Sequence, residues 1–184
     1  MEKKVWIGMF IAFVMIFSVF GVVLDSFRPV TKLDYNDYQF TYKDNQFFTK
    51  IGGVEHGFLF FPGDLEYIVM PEEVKVLLSA PVFTVTYDSQ SLIAEDLANS
   101  QYFFEAQLEG VRVIERGLTN NTGSVLPQKT CADATPSQPV IELRYADESS
   151  IAVDNNCVIL NALSASDIYR ESERFIYALL GVMS

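Results

Sequence analysis

A chain of 184 residues with 49% hydrophobic residues is long enough to bury one sizeable core, and no interior shift of composition divides it. Its formal net charge of −11 repels phosphate backbones and anionic headgroups, which excludes nucleic-acid binding on charge and favours cations or basic partners. Two cysteines and one histidine are too few for a four-ligand zinc site of the usual Cys and His spacing.

The chain begins with an uncharged run, Val5 to Leu24, in which only Gly8, Ser18 and Gly21 depart from apolar character. As a helix rising about 1.5 Å per residue it would span roughly 30 Å, the hydrocarbon thickness of a bilayer. The run therefore predicts a transmembrane helix over residues 5–24, with residues 1–4 as a cytoplasmic stub, 25–37 as a stalk and 38–184 as an extracytoplasmic domain. A cleaved signal peptide is the alternative, but its best small-x-small site, Val19-Phe20-Gly21, lies inside the apolar run. Lys3 and Lys4 precede the span, while Asp25, Asp34 and Asp37 dilute Arg28 and Lys32 after it. That bias puts the N-terminus in the cytoplasm of a cell membrane and the domain on the extracellular or lumenal side.

Beyond the run the pattern predicts an α+β domain. "YQFTYKDNQFFTK" alternates around Asp44-Asn45 and predicts a β-hairpin, and "HGFLFFPGDLEYIVMP" predicts a second one turning at Pro62-Gly63-Asp64. Together they suggest a four-stranded antiparallel meander rich in aromatics. Most of these fill the core, and Tyr35, Tyr38 and Tyr42 are candidates for a partner-binding patch. "PEEVKVLLS" can start a helix at Pro71. "PVFTVTYD" reads as a buried strand, and Ile93, Leu97, Phe104 and Leu108 recur at helical spacing before Gly110. "VRVIERG" completes a βαβ-like unit.

Gly117 to Pro139 carries turn residues and no period, which predicts a long loop. It contains Asn120-Asn121-Thr122, a glycosylation sequon at Asn120, and Cys131, whose natural partner on an oxidising side is Cys157. Two free thiols would accompany the opposite topology. "PVIELRY", "SIAVD" and "CVILNA" predict a three-stranded β-meander. "SASDIYRESERFIYALLGVM" predicts a C-terminal amphipathic helix capped by Ser164 or Ser166, with Arg170, Glu171, Glu173 and Arg174 on a solvated face.

Catalytic patterns are sparse. His56 stands alone between glycines, a loop setting, with Glu55 and Asp64 as weak metal companions. No nucleophile elbow, dinucleotide fingerprint or P-loop occurs, so no cofactor is implied. Carboxylates at Asp64, Glu66, Asp88, Asp147, Glu148 and Asp154 fall in turns or at strand ends, where acidic residues are ordinary. The expected function is that of an anchored accessory domain whose partners are the bilayer, through residues 5–24, and another protein of a membrane or surface complex. The alternatives are a surface hydrolase using acidic residues and a tethered domain for small ligands or ions.

Overall fold

A computed structural model describes residues 6, 9–11, 13–18, 31–121 and 123–184. The chain forms two compact units, residues 1–32 and 33–184. In the first unit, residues 6, 9–11 and 13–18 are helical, and Trp6, Met9, Phe10, Ile11 and Phe13 to Phe17 are all exposed. Among the described residues no helix is long and apolar enough to cross a membrane. The remainder of the 5–24 span and the 25–30 part of the expected stalk lie outside the described residues.

The second unit is a mixed α/β fold built on two sheets. The first has strand order β1 (Thr31–Tyr35), β2 (Tyr38–Lys43), β3 (Gln46–Ile51) and β4 (Val54–Phe58), with β2, β3 and β4 antiparallel in turn. Two-residue turns join these strands, and both Asp44-Asn45 and Gly52-Gly53 have positive φ at each central residue. That conformation matches the twist of paired strands and favours Asn, Asp and Gly. The meander thus closes with β1, inside the expected stalk. Pro62-Gly63-Asp64 does not turn a hairpin: Pro62–Leu65 is a 3-10 turn whose Pro62 and Leu65 are buried.

After a single helical turn, α1 (Val74–Leu77), the chain enters a five-stranded sheet. Its strands are β5 (Val82–Asp88), β6 (Val113–Asn120), β7 (Val140–Tyr145), β8 (Ser150–Asp154) and β9 (Cys157–Ala162), in spatial order β6-β5-β7-β9-β8. β5 and β6 are parallel and joined through α2 (Ala94–Leu108), a βαβ unit as the sequence pattern indicates. The expected meander of the last three strands is replaced by a mixed arrangement. β9 inserts between its hairpin partner β8, antiparallel, and β7, parallel. Ile141 and Leu143 of β7 and Val158, Leu160 and Ala162 of β9 thereby share one buried face, which a register ending β9 at the edge would expose.

That face is covered by α2 and the last helix, α3 (Ala165–Leu179), which pack on each other and on the sheet. α2 presents Leu97, Ser100, Gln101, Phe104 and Leu108, residues repeating every three or four positions. Buried Gln101 donates to the carbonyls of Val85 and Gly117 at 2.7 and 2.9 Å and so ties the crossover to both parallel strands. The first sheet then packs on the opposite side of the helices, with the Phe58 ring tilted against Tyr177 at 4.1 Å and in edge contact with Phe103. The result is a sheet, helix, sheet sandwich.

The expected long loop is shorter, because β6 continues to Asn120, and its later part covers the second face of the large sheet. The Thr86 hydroxyl donates to the Lys129 carbonyl at 2.8 Å, and Gln138 donates to Thr84 at 3.0 Å. Gly117 makes room for the crossing: a Cβ there would lie 2.7 Å from the Lys129 Cβ. Cys131 and Cys157 are joined in a disulfide that fastens this cover to β9. Replacing both with serine is expected to cost about 3 kcal/mol, the chain entropy of closing such a loop, seen as a lowered urea midpoint with a steeper slope because the freed chain unfolds to a more expanded state.

Candidate functional site

α3 begins at Ser164, whose hydroxyl oxygen accepts from the Asp167 amide and donates to the Asp167 carboxylate at 2.7 Å. By sequence its first half is polar and expected to be solvated. Instead Glu171, Glu173 and Arg174 are buried together with Ser172 of the apolar face, because the chain leaving β4, the segment 67–71 and β8 close over the side of the helix that a two-layer domain would leave in water. Each of these groups meets that burial differently.

Ser172 faces Ser100 of α2, with hydroxyl oxygens 2.6 Å apart, a contact of small side chains that lets the helices approach. Glu173 accepts the backbone N–H groups of Leu59 and Phe60 at 2.7 and 2.9 Å, while Tyr177 donates its hydroxyl to the Phe60 carbonyl at 2.9 Å. These bonds satisfy the chain where it leaves β4. Burial pushes the Glu173 carboxyl up to about 8 against the pull of the two amides. Arg174 donates to the carbonyls of Ile68 and Ser184, and burial lowers its pKa. Both carboxylate oxygens of Glu173 thus have partners, whereas Arg174 is held through Nε and Nη2 and its buried Nη1 has none.

Glu171 is different. It is 2% exposed, takes one backbone bond from Ser150, and its Oε2 has no partner. Burial first, and then the neighbouring Asp167 carboxylate, push its pKa up to about 9. The residue lines a half-open cavity of about 320 Å³. Tyr67, Val69, Pro71 and Ile151 supply apolar wall, and Ser149, Ser150, Asp167 and Arg170 supply the polar end. Tyr67 and Val69 are also exposed, so apolar surface continues from the cavity onto the rim. A cavity with convergent polar groups and a displaced pKa is the arrangement expected of a binding site.

A second cavity of similar size lies at the carboxyl ends of β5 and β7, where sheets of parallel strands commonly bind ligands. Its charged groups have partners: Arg144 donates to Glu142 at 2.6 and 3.0 Å, and Asp88 accepts the Gln90 amide. Comparisons with family models, curated proteins and solved structures return no match to this chain.

The sequence-level candidates are dispersed. Tyr35 and Tyr38 are half-buried and pack on the core, Tyr35 donating to Glu66 at 3.0 Å; Tyr42 is exposed, with its ring tilted against Phe47. His56 is no loop residue. It sits buried on β4 with Nδ1 3.1 Å from the Gln107 Oε1 of α2. Gln107 donates its own amide to the Gly57 carbonyl, so Nδ1 is the donor in that contact. Asn120 ends β6, where its carbonyl accepts from Ser89, and Thr122 of the sequon lies outside the described residues.

Asp64, Asp147, Glu148 and Asp154 are exposed, and Glu66 is held by Tyr35. Among the described residues, the trio of metal-type donors within 4.8 Å is Cys131, Glu142 and Cys157. With the sulfurs bonded to each other, no thiolate is offered there. The missed residue is Glu171. Its sequence signal is a carboxylate next to the apolar stripe of a helix that ends in a wholly apolar run.

Proposed function

We propose that this chain is a single-pass, membrane-anchored accessory domain that recognises a protein partner on the extracytoplasmic side through the surface around Glu171. The observation that carries the recognition is a cavity with exposed Tyr67 and Val69 at its rim, bordered by a buried carboxyl one of whose oxygens has no partner. Residues 5–24 serve as the anchor in this reading. Their support is the uncharged apolar sequence and the exposure of its described apolar side chains. The disulfide supports an oxidising exterior. Asn120 is a glycosylation site of that exterior, and Tyr42 marks a secondary contact surface at the far end of the β2 hairpin.

Crosslinking in native membranes, followed by identification of the captured neighbour, tests the proposal. Tyr67→Glu combined with Val69→Glu is expected to reduce capture at least tenfold while leaving the unfolding midpoint unchanged, since both side chains are solvent-exposed. Capture that survives this change and is lost with Tyr42→Glu would move the interface to the hairpin. Protease added to sealed cells should remove residues 25–184. Full protection of an unshielded chain would overturn the topology.

A further inference from the structure

A buried carboxyl with one oxygen unpartnered is a cost that folding alone would have removed, because a leucine or methionine at position 171 would fill the same space without it. The neighbouring charges do not relieve it. Asp167 is engaged by Ser164 and by Arg170 at 3.5 Å. Arg170 in turn lies over the Phe60 ring at 5.1 Å. Those two charges cancel, which leaves Glu171 as the acceptor without a cation. The charged or titratable groups lining the cavity are Asp167, Arg170 and Glu171 of α3 and Tyr67 from the segment after the 3-10 turn; β8 and the residue before it add Ser149, Ser150 and Ile151.

We infer that the cavity receives an alkylammonium group, the end of a lysine side chain of the protein partner, whose charge pairs with Glu171 and whose methylenes lie along Val69, Pro71 and Ile151. This deepens the function proposed above and rests on it. An ammonium has three donors and no acceptor, and the site matches that need. Glu171 borders the cavity and offers an oxygen without a partner, which lies closed to solvent until an entering group uncovers it. The hydroxyl oxygens of Ser149 and Ser150 accept from the Leu163 amide and from Asn161, and each keeps capacity for another donor. An anion finds no free cation, since Arg170 is already paired. A chelated metal finds no third His, Cys, Asp or Glu donor among the described residues. The acidic chain also draws basic partners from a distance.

Pairing requires the ionised carboxylate, so the entering ammonium displaces the Glu171 proton to the buffer and the two compete for one oxygen. Titration of the full chain in detergent with n-butylammonium, followed by amide NMR shifts and by calorimetry in two buffers of different ionisation enthalpy, tests this. The expected dissociation constant is on the order of millimolar. Affinity should rise by nearly two orders of magnitude from pH 6.5 to 8.5, about one proton should be released per ammonium bound near neutral pH, and shifts should centre on Ser149 to Ile151 and Asp167 to Glu171. In Glu171→Gln both the binding and the proton release should vanish.

Proton release is measured on the unaltered protein, so the test stands even where that variant fails to fold. No saturable shift at any pH, equal binding of n-butanol, or binding without proton release would each overturn the ammonium assignment. Loss of partner capture in the Tyr67 and Val69 variant would then still uphold the accessory function. Ammonium binding with undisturbed capture would instead uphold the site and overturn its role in the partner interface.

Discussion

Glu173→Ala is expected to lower the stability of the folded domain by about 4–5 kcal/mol. The change leaves the amides of Leu59 and Phe60 without an acceptor in a region that water does not reach, at about 1–3 kcal/mol each, and adds the void of the lost side chain. These bonds hold the end of the first sheet to α3, and Tyr177 holds the same point through the Phe60 carbonyl. Urea unfolding followed by far-UV circular dichroism would report the loss. A midpoint within experimental error of the parent would show that water satisfies the amides, and the account of the helix as a clamp between sheets would fail. Glu173→Gln keeps one acceptor oxygen and should recover about half of the loss.

Stability should also fall as the pH rises, most of it between about pH 5 and 9. Glu173 and Glu171 both have folded pKa values above the ordinary 4.5, at about 8 and about 9. A carboxyl of this kind holds its proton more tightly when folded, so its contribution is complete below pH 4.5 and is lost as the pH rises through the folded value. Glu173 alone accounts for on the order of 5 kcal/mol across that window if its whole shift is expressed. Glu171 acts in the same direction with a smaller share, because it borders the open cavity. Asp133 opposes them at the acid end. The Thr130 amide lowers its pKa, so its contribution is lost as the pH falls below 3.8. The optimum should therefore lie near pH 4–5. Denaturant unfolding at pH 5, 7 and 9 measures the slope. A stability that is flat or rising over that range would mean both glutamates are ionised in the folded state, and Glu173→Gln should flatten much of the slope if they are not.

The sequence by itself determined whatever depends on near neighbours along the chain. Asp44-Asn45 marks its turn because those residues tolerate positive φ, and the spacing of Leu97, Phe104 and Leu108 marks α2 because a helix repeats every 3.6 residues. Gly52-Gly53 carried an equally strong turn signal, and with it the true extent of the meander was available. The disulfide was legible too, from a count of two cysteines and an apolar leader. What the chain could not reveal was which surfaces meet. β9 lies between β7 and β8 because a buried face needs neighbours on both sides, a requirement no local pattern expresses.

The same holds for the site. A helix reading "DIYRESERF" has the polar face of a surface helix, and periodicity assigns that face to water. Only tertiary packing covers it: the end of the first sheet reaches Glu173 from more than a hundred positions earlier, and residues 67–71 with β8 close around Glu171. That cover turns Glu173 into a clamp and leaves Glu171 with an unpartnered oxygen over a cavity. Burial of charge is decided by tertiary packing, because the desolvation that shifts these carboxyls depends on what lies across the interface and not on what lies next in the chain.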